Sequence, residues 1–339
     1  MIAEPAGTTP RPAVRLRWGA TVTAALVVSL VRPVSWAVGL AGFLAGGGIV
    51  VVAWPILVLP TPTGLQNALG GPVSSLVFGA PSSALLTLIT GTLVGAVVLA
   101  LAGILVGAWA ECQGIVLALE AAAEEGIVTP MPDLRGAPGT GRIAVVRLLS
   151  LAPIAVAALL AWRPVYDVIY RELILPDDLV TPLAVRVLGD VPWLVVGLAV
   201  VWLLTDAAAA VAVRRLVLER RPVLVAWLLG WADLVRRPQR VLPTALVGVG
   251  VLVLLGAPGL VAASVGWARV REVLLAGRDP VTLVAAVVIW VAIWMSTLVL
   301  AGVGAAIRNA AWTLELPRRP FAAGAPPPPV RGPTGSSLA

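Results

Sequence analysis

The stretch that decides the architecture is Leu203 to Arg240, LLTDAAAAVAVRRLVLERRPVLVAWLLGWADLVRRPQR. It closes a long apolar run and then packs in Arg214, Arg215, Arg220 and Arg221. A short apolar segment, Val223 to Val235, follows between Arg221-Pro222 and Arg236-Arg237-Pro238, and a second long apolar run opens at Val241. A bilayer span needs roughly 18 or more apolar residues, and a segment of about 10–14 is too short to cross. The stretch therefore reads as a membrane helix leaving on a basic side, an amphipathic helix lying at the interface, and a re-entry. Trp227 and Trp231 are one turn apart, so they share a helix face and suit an interfacial helix anchored at headgroup depth.

Composition points the same way along the whole chain. Of 339 residues, 59% are hydrophobic and 12% are charged, with a mean hydropathy of +0.99. A soluble domain carries roughly 25% charged residues, so most of this surface faces something other than water. Long apolar runs, rather than short alternating segments, exclude a β-barrel pattern. The fold class expected is all-α and polytopic, with six transmembrane helices in three hairpins and two cytoplasmic-side amphipathic interfacial helices.

Every basic residue is arginine, and the net charge is +7. That excess fits membrane orientation better than a nucleic-acid surface. With no histidine and one cysteine, Cys112, the residues for histidine acid–base catalysis, Ser-His-Asp or Cys-His nucleophiles and the common zinc sites are missing. No catalytic residue, cofactor or metal site is expected. Cys112 reads as a small apolar filler at the membrane edge, with palmitoylation as the alternative.

In chain order, residues 1–12 are a polar tail. Residues 14–31, with Arg15 and Arg17 at the start, hold an apolar part of about 14 residues, too short to span; the segment reads as an interfacial helix, with a signal-peptide core as the alternative. The single membrane domain covers 13–316, with spans at about 34–59, 84–110, 143–162, 191–213, 241–265 and 281–306. The second interfacial helix covers 223–235. Gly46 to Gly48 lie inside the first span, where small residues favour close helix packing. Loop 60–82 carries no charge and reads as extracytoplasmic. The second span is expected to continue as a helix to Glu125, and Gly126 to Gly141 is a connector full of helix breakers. Residues 317–339, with Pro326 to Pro329, are a Pro-rich tail. Segments assigned inside hold 18 arginines and those outside 6. The positive-inside rule then puts both termini in the cytoplasm of a plasma (inner) membrane protein.

The Arg-Pro-bounded segments before spans 1 and 5 resemble each other, which suggests parallel repeats of about 100 residues. The inward-running spans 2, 4 and 6 each carry one charge near the cytoplasmic boundary: Glu111, Asp206 and Arg308. Ionisable groups inside spans are costly and face a bundle interior or a cavity. Three readings stand: separate residues snorkelling to headgroups, a buried cluster, or a working proton or substrate site. Arg214, Arg215, Arg220, Arg221, Arg236 and Arg237 are the candidate contacts to anionic lipid headgroups. Glu120, Glu124 and Glu125 form an acidic helix face beside Arg135 and Arg142, which reads as solvated.

Two resemblances bear on function. Glu120-Ala121-Ala122-Ala123-Glu124-Glu125-Gly126 resembles the opening of the loop by which ABC-importer permeases contact their ATPase, although the Ile-x-Leu-Pro close of that motif is replaced by Thr129-Pro130-Met131-Pro132. Asp206-Ala207-Ala208-Ala209 with Arg214-Arg215, the segment 223–235, and Leu234-Val235-Arg236-Arg237-Pro238 resemble six-span bacterial proteins like the membrane domain of glycerophosphodiester phosphodiesterases. That resemblance implies a membrane architecture and no chemistry. The expected function is a non-enzymatic structural or accessory membrane subunit whose partners are the bilayer and its anionic headgroups; the alternative is a transporter or ABC-type permease subunit.

Overall fold

A computed structural model describes residues 18–57, 63–64, 67, 83–128, 139–174, 181–277 and 279–315. The expected tails at 1–12 and 317–339 lie outside the described residues, as does most of loop 60–82. The described chain is all-α and polytopic, with six helical segments long and apolar enough to cross a membrane. Among the described residues there is no strand.

The helices in order are α1 (Trp18–Val31), α2 (Val34–Phe43), α3 (Ile49–Ala53), α4 (Ser83–Glu124), α5 (Thr140–Leu149), α6 (Ala152–Ile174), α7 (Leu183–Asp190), α8 (Pro192–Leu218), α9 (Val223–Arg236), α10 (Pro238–Leu275) and α11 (Pro280–Glu315). At 1.5 Å per residue, the 42 residues of α4 extend about 63 Å. That is about twice the roughly 30 Å apolar thickness of a bilayer, so the long helices run well past their apolar spans.

Three similar units emerge. Each is a short helix, a break and a two-limbed hairpin. The short helices are α1, α5 and α9, and a proline opens the helix after each break: Pro33, Pro153 and Pro238. Proline suits a first helical turn because its missing N–H has no partner there in any case. Each short helix packs on the second limb of the preceding unit: α5 on α4, α9 on α8, and α1 on α11, which closes the cycle. The span expected at 143–162 is therefore two helices, with the break at Ser150-Leu151. Its N-terminal part is the short helix of the middle unit, hidden in sequence by an unbroken apolar pattern. α1 also differs from expectation. It carries no charge, and it buries a stripe of Thr21, Ala24, Ala25, Val28 and Ser29 against α4 and α11. It is an apolar packing helix with no polar face of charged residues.

The buried core sits at the end of the bundle that carries α1, α5 and α9, called here the capped end. One cluster joins Ile115, Leu119, Ile143, Val146, Val213 and Leu216. Another joins Ala25, Val28, Ala118, Ala122 and Ala311. The opposite ends of the long helices expose apolar side chains, and the first limbs are joined unevenly. α2 packs on α11 and α10 on α8, while among the described residues α6 packs little on α4 and rests on α8 and α7 instead.

The first span is interrupted. A π-turn at Leu44–Gly48 separates α2 from α3, with Gly47 at φ +99, a conformation open to glycine and strained for other residues. A Cβ at Gly46 or Gly47 would meet nothing within 4 Å. The expected close helix packing is thus corrected at Gly46 and Gly47, which permit a break in the helix, while Gly48 is buried with room only for hydrogen beside the Phe43 ring, where a Cβ would stand 2.5 Å from it. Close packing happens elsewhere. A Cβ on Gly39 would stand 2.6 Å from the Gly302 carbonyl oxygen, and one on Gly302 would stand 2.6 Å from the Trp36 carbonyl oxygen. Here α2 and α11 touch backbone to backbone, as small residues allow in membrane bundles.

The expected helix beyond span 2 runs unbroken to Glu124 and closes with Gly126 at φ +65. The amide of Ile127 donates to the Ala122 carbonyl at 2.9 Å, and that of Gly126 to Ala123 at 3.1 Å, a left-handed cap. Overpacking a tight crossing costs about 1–3 kcal/mol. Gly302→Val is therefore expected to lower the apparent melting midpoint in mild detergent, whereas Gly46→Ala leaves it near wild type. A fluorescence-detected thermal ramp on both variants checks this, and equal midpoints would remove the α2–α11 crossing as a stability determinant.

Candidate functional site: a buried charge network

The three second limbs converge at the capped end, each at the point where its apolar run stops. α4 brings Glu111, α8 brings Asp206 and Arg214, and α11 brings Arg308 and Asn309, while the short helix α5 adds Arg147. Among the described residues, Glu111, Asp206 and Arg308 thus belong to one hydrogen-bonded network. Two of its members, Arg147 and Arg214, were not weighed for it in the sequence. Arg147 lies near the start of what reads as one span, and Arg214 reads as the first residue of a basic block that contacts anionic lipid headgroups.

The bonding runs as a chain. Arg308 Nη2 donates to Asp206 Oδ2. Arg147 Nη1 reaches the other Asp206 oxygen, Oδ1, at 3.4 Å. Arg147 also grips Glu111 Oε2 through Nε at 2.8 Å and Nη2 at 2.7 Å. Arg214 Nη1 donates to the remaining oxygen, Glu111 Oε1. Its Nη1 also donates to the Ala210 carbonyl at 3.1 Å, and its Nη2 donates to the side-chain oxygen of Asn309. All four carboxylate oxygens are engaged by guanidinium groups, which form strong, charge-assisted hydrogen bonds.

Burial is graded across the network. Arg214 is 2% exposed and Glu111 9%. The side chain of Arg308 is 22% exposed and that of Arg147 29%. Arg214 Nε is buried without a partner. This corrects one expectation: Arg214 does not reach lipid headgroups, because it is enclosed between α4, α8 and α11. Tight backbone approach makes room for it. A Cβ on Gly114 of α4 would overlap the Asn309 amide, and one on Gly248 of α10 would stand 2.8 Å from Arg308 Cγ. Beside Asn309, a narrow crevice runs between α1, α4 and α11 past Ser29 and Ser35.

The other arginines divide into paired and exposed groups. Arg215 donates through Nε to Asp233 Oδ2 at 2.8 Å and lies 2.7 Å from Glu219, fastening α8 to α9. Arg220, Arg221, Arg236 and Arg237 are exposed, and Arg221 stands 3.4 Å from Glu219. The expected headgroup anchor at Trp227 and Trp231 is corrected as well. The two rings pack edge to face, 6.4 Å apart, and turn toward the bundle, Trp227 against the core around Ile115 and Trp231 against that around Ala208. The acidic face of α4 has a partner the sequence did not suggest. Arg32, at the break between α1 and α2, pairs with Glu120 at 2.8 Å and also with Glu124. The Glu120 hydrogen bond pushes the Arg32 guanidinium above its ordinary pKa. Arg135 lies outside the described residues. Among the described residues, no group of three or more His, Cys, Asp or Glu side chains is placed to hold a metal ion.

Comparison of the chain with protein-family models, with curated proteins and with solved structures returns no match. The geometry of the network is therefore the whole basis for a functional reading.

Removing one partner of a buried ion pair leaves an uncompensated charge and costs about 3–5 kcal/mol. Arg269, paired only with Glu272 and 54% exposed, is a matched control, since exposed pairs contribute about 0–1 kcal/mol. Arg214→Ala and Arg308→Ala are each expected to lower the apparent melting midpoint by several degrees more than Arg269→Ala does. Thermal ramps of the three variants in the same detergent decide it; equal shifts would mean that the network does not hold the limbs together.

Proposed function

We propose that this chain is a multi-pass protein of the plasma (inner) membrane, with both termini and the capped end in the cytoplasm, that serves as a non-enzymatic structural or accessory subunit. The observation that carries the reading is the closure of the charge network. Both oxygens of Glu111 and both of Asp206 are occupied by arginine. A working proton or substrate site needs a titratable group free to change partners, and these carboxylates have none to spare. Their use is to lock three hairpins at one level, where single apolar contacts between similar helices leave register weakly specified.

The proposed orientation draws on the arginines, 18 in inside segments against 6 outside. Aromatic side chains mark the other membrane interface. Trp162, Tyr166 and Tyr170 line one exposed side of α6 with ring spacings of 6.3 and 6.2 Å, as residues of a membrane-interface belt do. Exposed Arg220, Arg221, Arg236 and Arg237 around α9 suit contact with anionic lipid.

A second reading, transport, is favoured by one feature. The first span is broken at Leu44–Gly48, and interrupted helices line midplane binding sites in many transporters. Against an ABC-type permease stands the engagement of Glu120 and Glu124 by Arg32 within the chain, which occupies two of the three acidic residues of the resembling motif.

Two measurements test the proposal. A fluorescent-protein fusion at the C-terminus is expected to be bright and an alkaline phosphatase fusion there inactive, with the reverse after residue 180; an active C-terminal phosphatase would invert the topology. Reconstituted protein on a solid-supported membrane is expected to carry no current under proton or ion gradients. A current lost in Asp206→Asn, with the variant still folded, would replace the structural reading with transport.

A further inference from the structure

The network is closed for its carboxylates and open for its cations. Three guanidinium groups, Arg147, Arg214 and Arg308, face two carboxylates, Glu111 and Asp206. Among the described residues no third carboxylate lies within ion-pair distance of them, so the cluster carries one excess positive charge. A net charge held among helices at the edge of an apolar layer is costly unless something compensates it.

The excess is not spread evenly. Arg214 is enclosed and has taken up Glu111, Ala210 and Asn309. Arg308 makes one hydrogen bond, from Nη2 to Asp206, while 22% of its side chain stays exposed. Arg147 is 29% exposed. These two side chains flank Asp206, one on each carboxylate oxygen, and among the described residues both guanidinium groups keep N–H donors beyond those bonds. Arg147 sits on α5 less than two turns before α6 begins and bonds to α4. It therefore lies between α4 and the start of α6, two helices that pack little on each other among the described residues.

Resting on the proposed reading of the network as a lock at one membrane face, we infer that the Arg147–Arg308 pair flanking Asp206 is a binding site for a single phosphate-class anion, either the phosphodiester of an anionic lipid or inorganic phosphate. The fit is chemical. Planar guanidinium groups match phosphate oxygens with paired donors, which ammonium groups do not. One phosphodiester charge offsets the single excess positive charge. The loosely packed side between α4 and α6 is the proposed approach for a lipid's acyl chains, and the site lies where the apolar runs of α4, α8 and α11 end, at headgroup depth in the proposed orientation. Asp206 then has two tasks: it spaces the two arginines and limits how strongly they hold the anion.

The last point sets the sign of the test. The full-length protein, purified in dodecyl maltoside and stripped of lipid, is titrated separately with phosphatidylglycerol, phosphatidylcholine and inorganic phosphate, and binding is read by native mass spectrometry. One phosphatidylglycerol per chain is expected to bind the wild type in preference to phosphatidylcholine. Arg308→Gln is expected to weaken it about tenfold, the effect of losing one charged hydrogen-bonding partner. Asp206→Asn is expected to bind more tightly than wild type, because two guanidinium groups lose their competing carboxylate. A purely structural role for these residues predicts no such gain. Inorganic phosphate binding with the same dependence on both variants, without preference for lipid, would assign the site to a free anion and support the shared chemistry. Wild-type protein that retains neither probe overturns the inference, and so does lipid retained equally by wild type and both variants, which is annular. Should Arg308→Gln fail to fold by circular dichroism, Arg308→Lys keeps the charge and loses the planar fork, and weaker binding is expected from it too; unchanged binding overturns the site. The melting midpoints of Arg214→Ala and Arg308→Ala judge the lock separately, so the two ideas fail on different measurements.

Discussion

Everything at the capped end depends on bringing Arg214 out of water. A guanidinium that is 2% exposed is tolerable only if its donors find acceptors, and those acceptors come from three different helices. Glu111 on α4 and Asn309 on α11 reach it directly. Glu111 then recruits Arg147, Arg147 recruits Asp206, and Asp206 recruits Arg308. Each ion is adequately paired only when the next limb is in place. The hairpins are therefore coupled in register, which apolar packing between alanine-, valine- and leucine-rich helices specifies poorly. The benefit lies in specificity more than in net energy, since buried ion pairs repay their own desolvation only with good geometry.

The backbone is arranged to serve that chain of contacts. Gly114 and Gly248 leave space for Asn309 and Arg308, and Gly39 and Gly302 bring α2 onto α11. The short helices α1, α5 and α9 surround the network, each resting on the second limb of the preceding unit. They supply the apolar wall that keeps water from the pairs and, in α5, one of the pairs' members. Arg32 with Glu120 and Glu124, and Arg215 with Asp233, fasten two of these breaks and crossings from outside. At the other end of the molecule the ion pairs among the described residues are local, Arg171 and Arg186 with Glu172 and Arg171 with Asp190, and they tie α6 to α7 and its C-terminal end rather than three limbs together. Long apolar helices face outward there, and their cohesion comes from packing along α10 and α11 with Trp267, Trp290 and Trp294 stacked between them.

Some of this was legible in the sequence and some was not. The all-α polytopic class and six helices of spanning length follow from apolar run length, because a bilayer accepts only helices or closed barrels and the runs far exceed strand length. The short helix Val223–Arg236 was legible because prolines and arginines bound it on both sides. Its counterpart Thr140–Leu149 was hidden. The break after it at Ser150-Leu151 interrupts an apolar pattern without any polar residue stronger than a serine. Glu111, Asp206 and Arg308 stood out because a charge near an apolar run is conspicuous at any spacing.

What the residue order determined about this protein is therefore its material: which segments are apolar enough to cross, how many there are, and which ionisable groups lie at their ends. Only the three-dimensional arrangement decided the pairing. Nothing in the linear spacing of Arg147 and Arg214 separates them from Arg236 and Arg237. All are arginines beside apolar runs, yet two lie in the buried network and two are exposed. The difference comes from helix crossings set by glycines far away in sequence, at Gly114 and Gly248. The break at Gly47 shows the same limit in reverse. Three glycines in a span read equally well as a close contact or as an interruption, and which one occurs depends on whether a neighbouring helix arrives there. None does at Gly46 or Gly47.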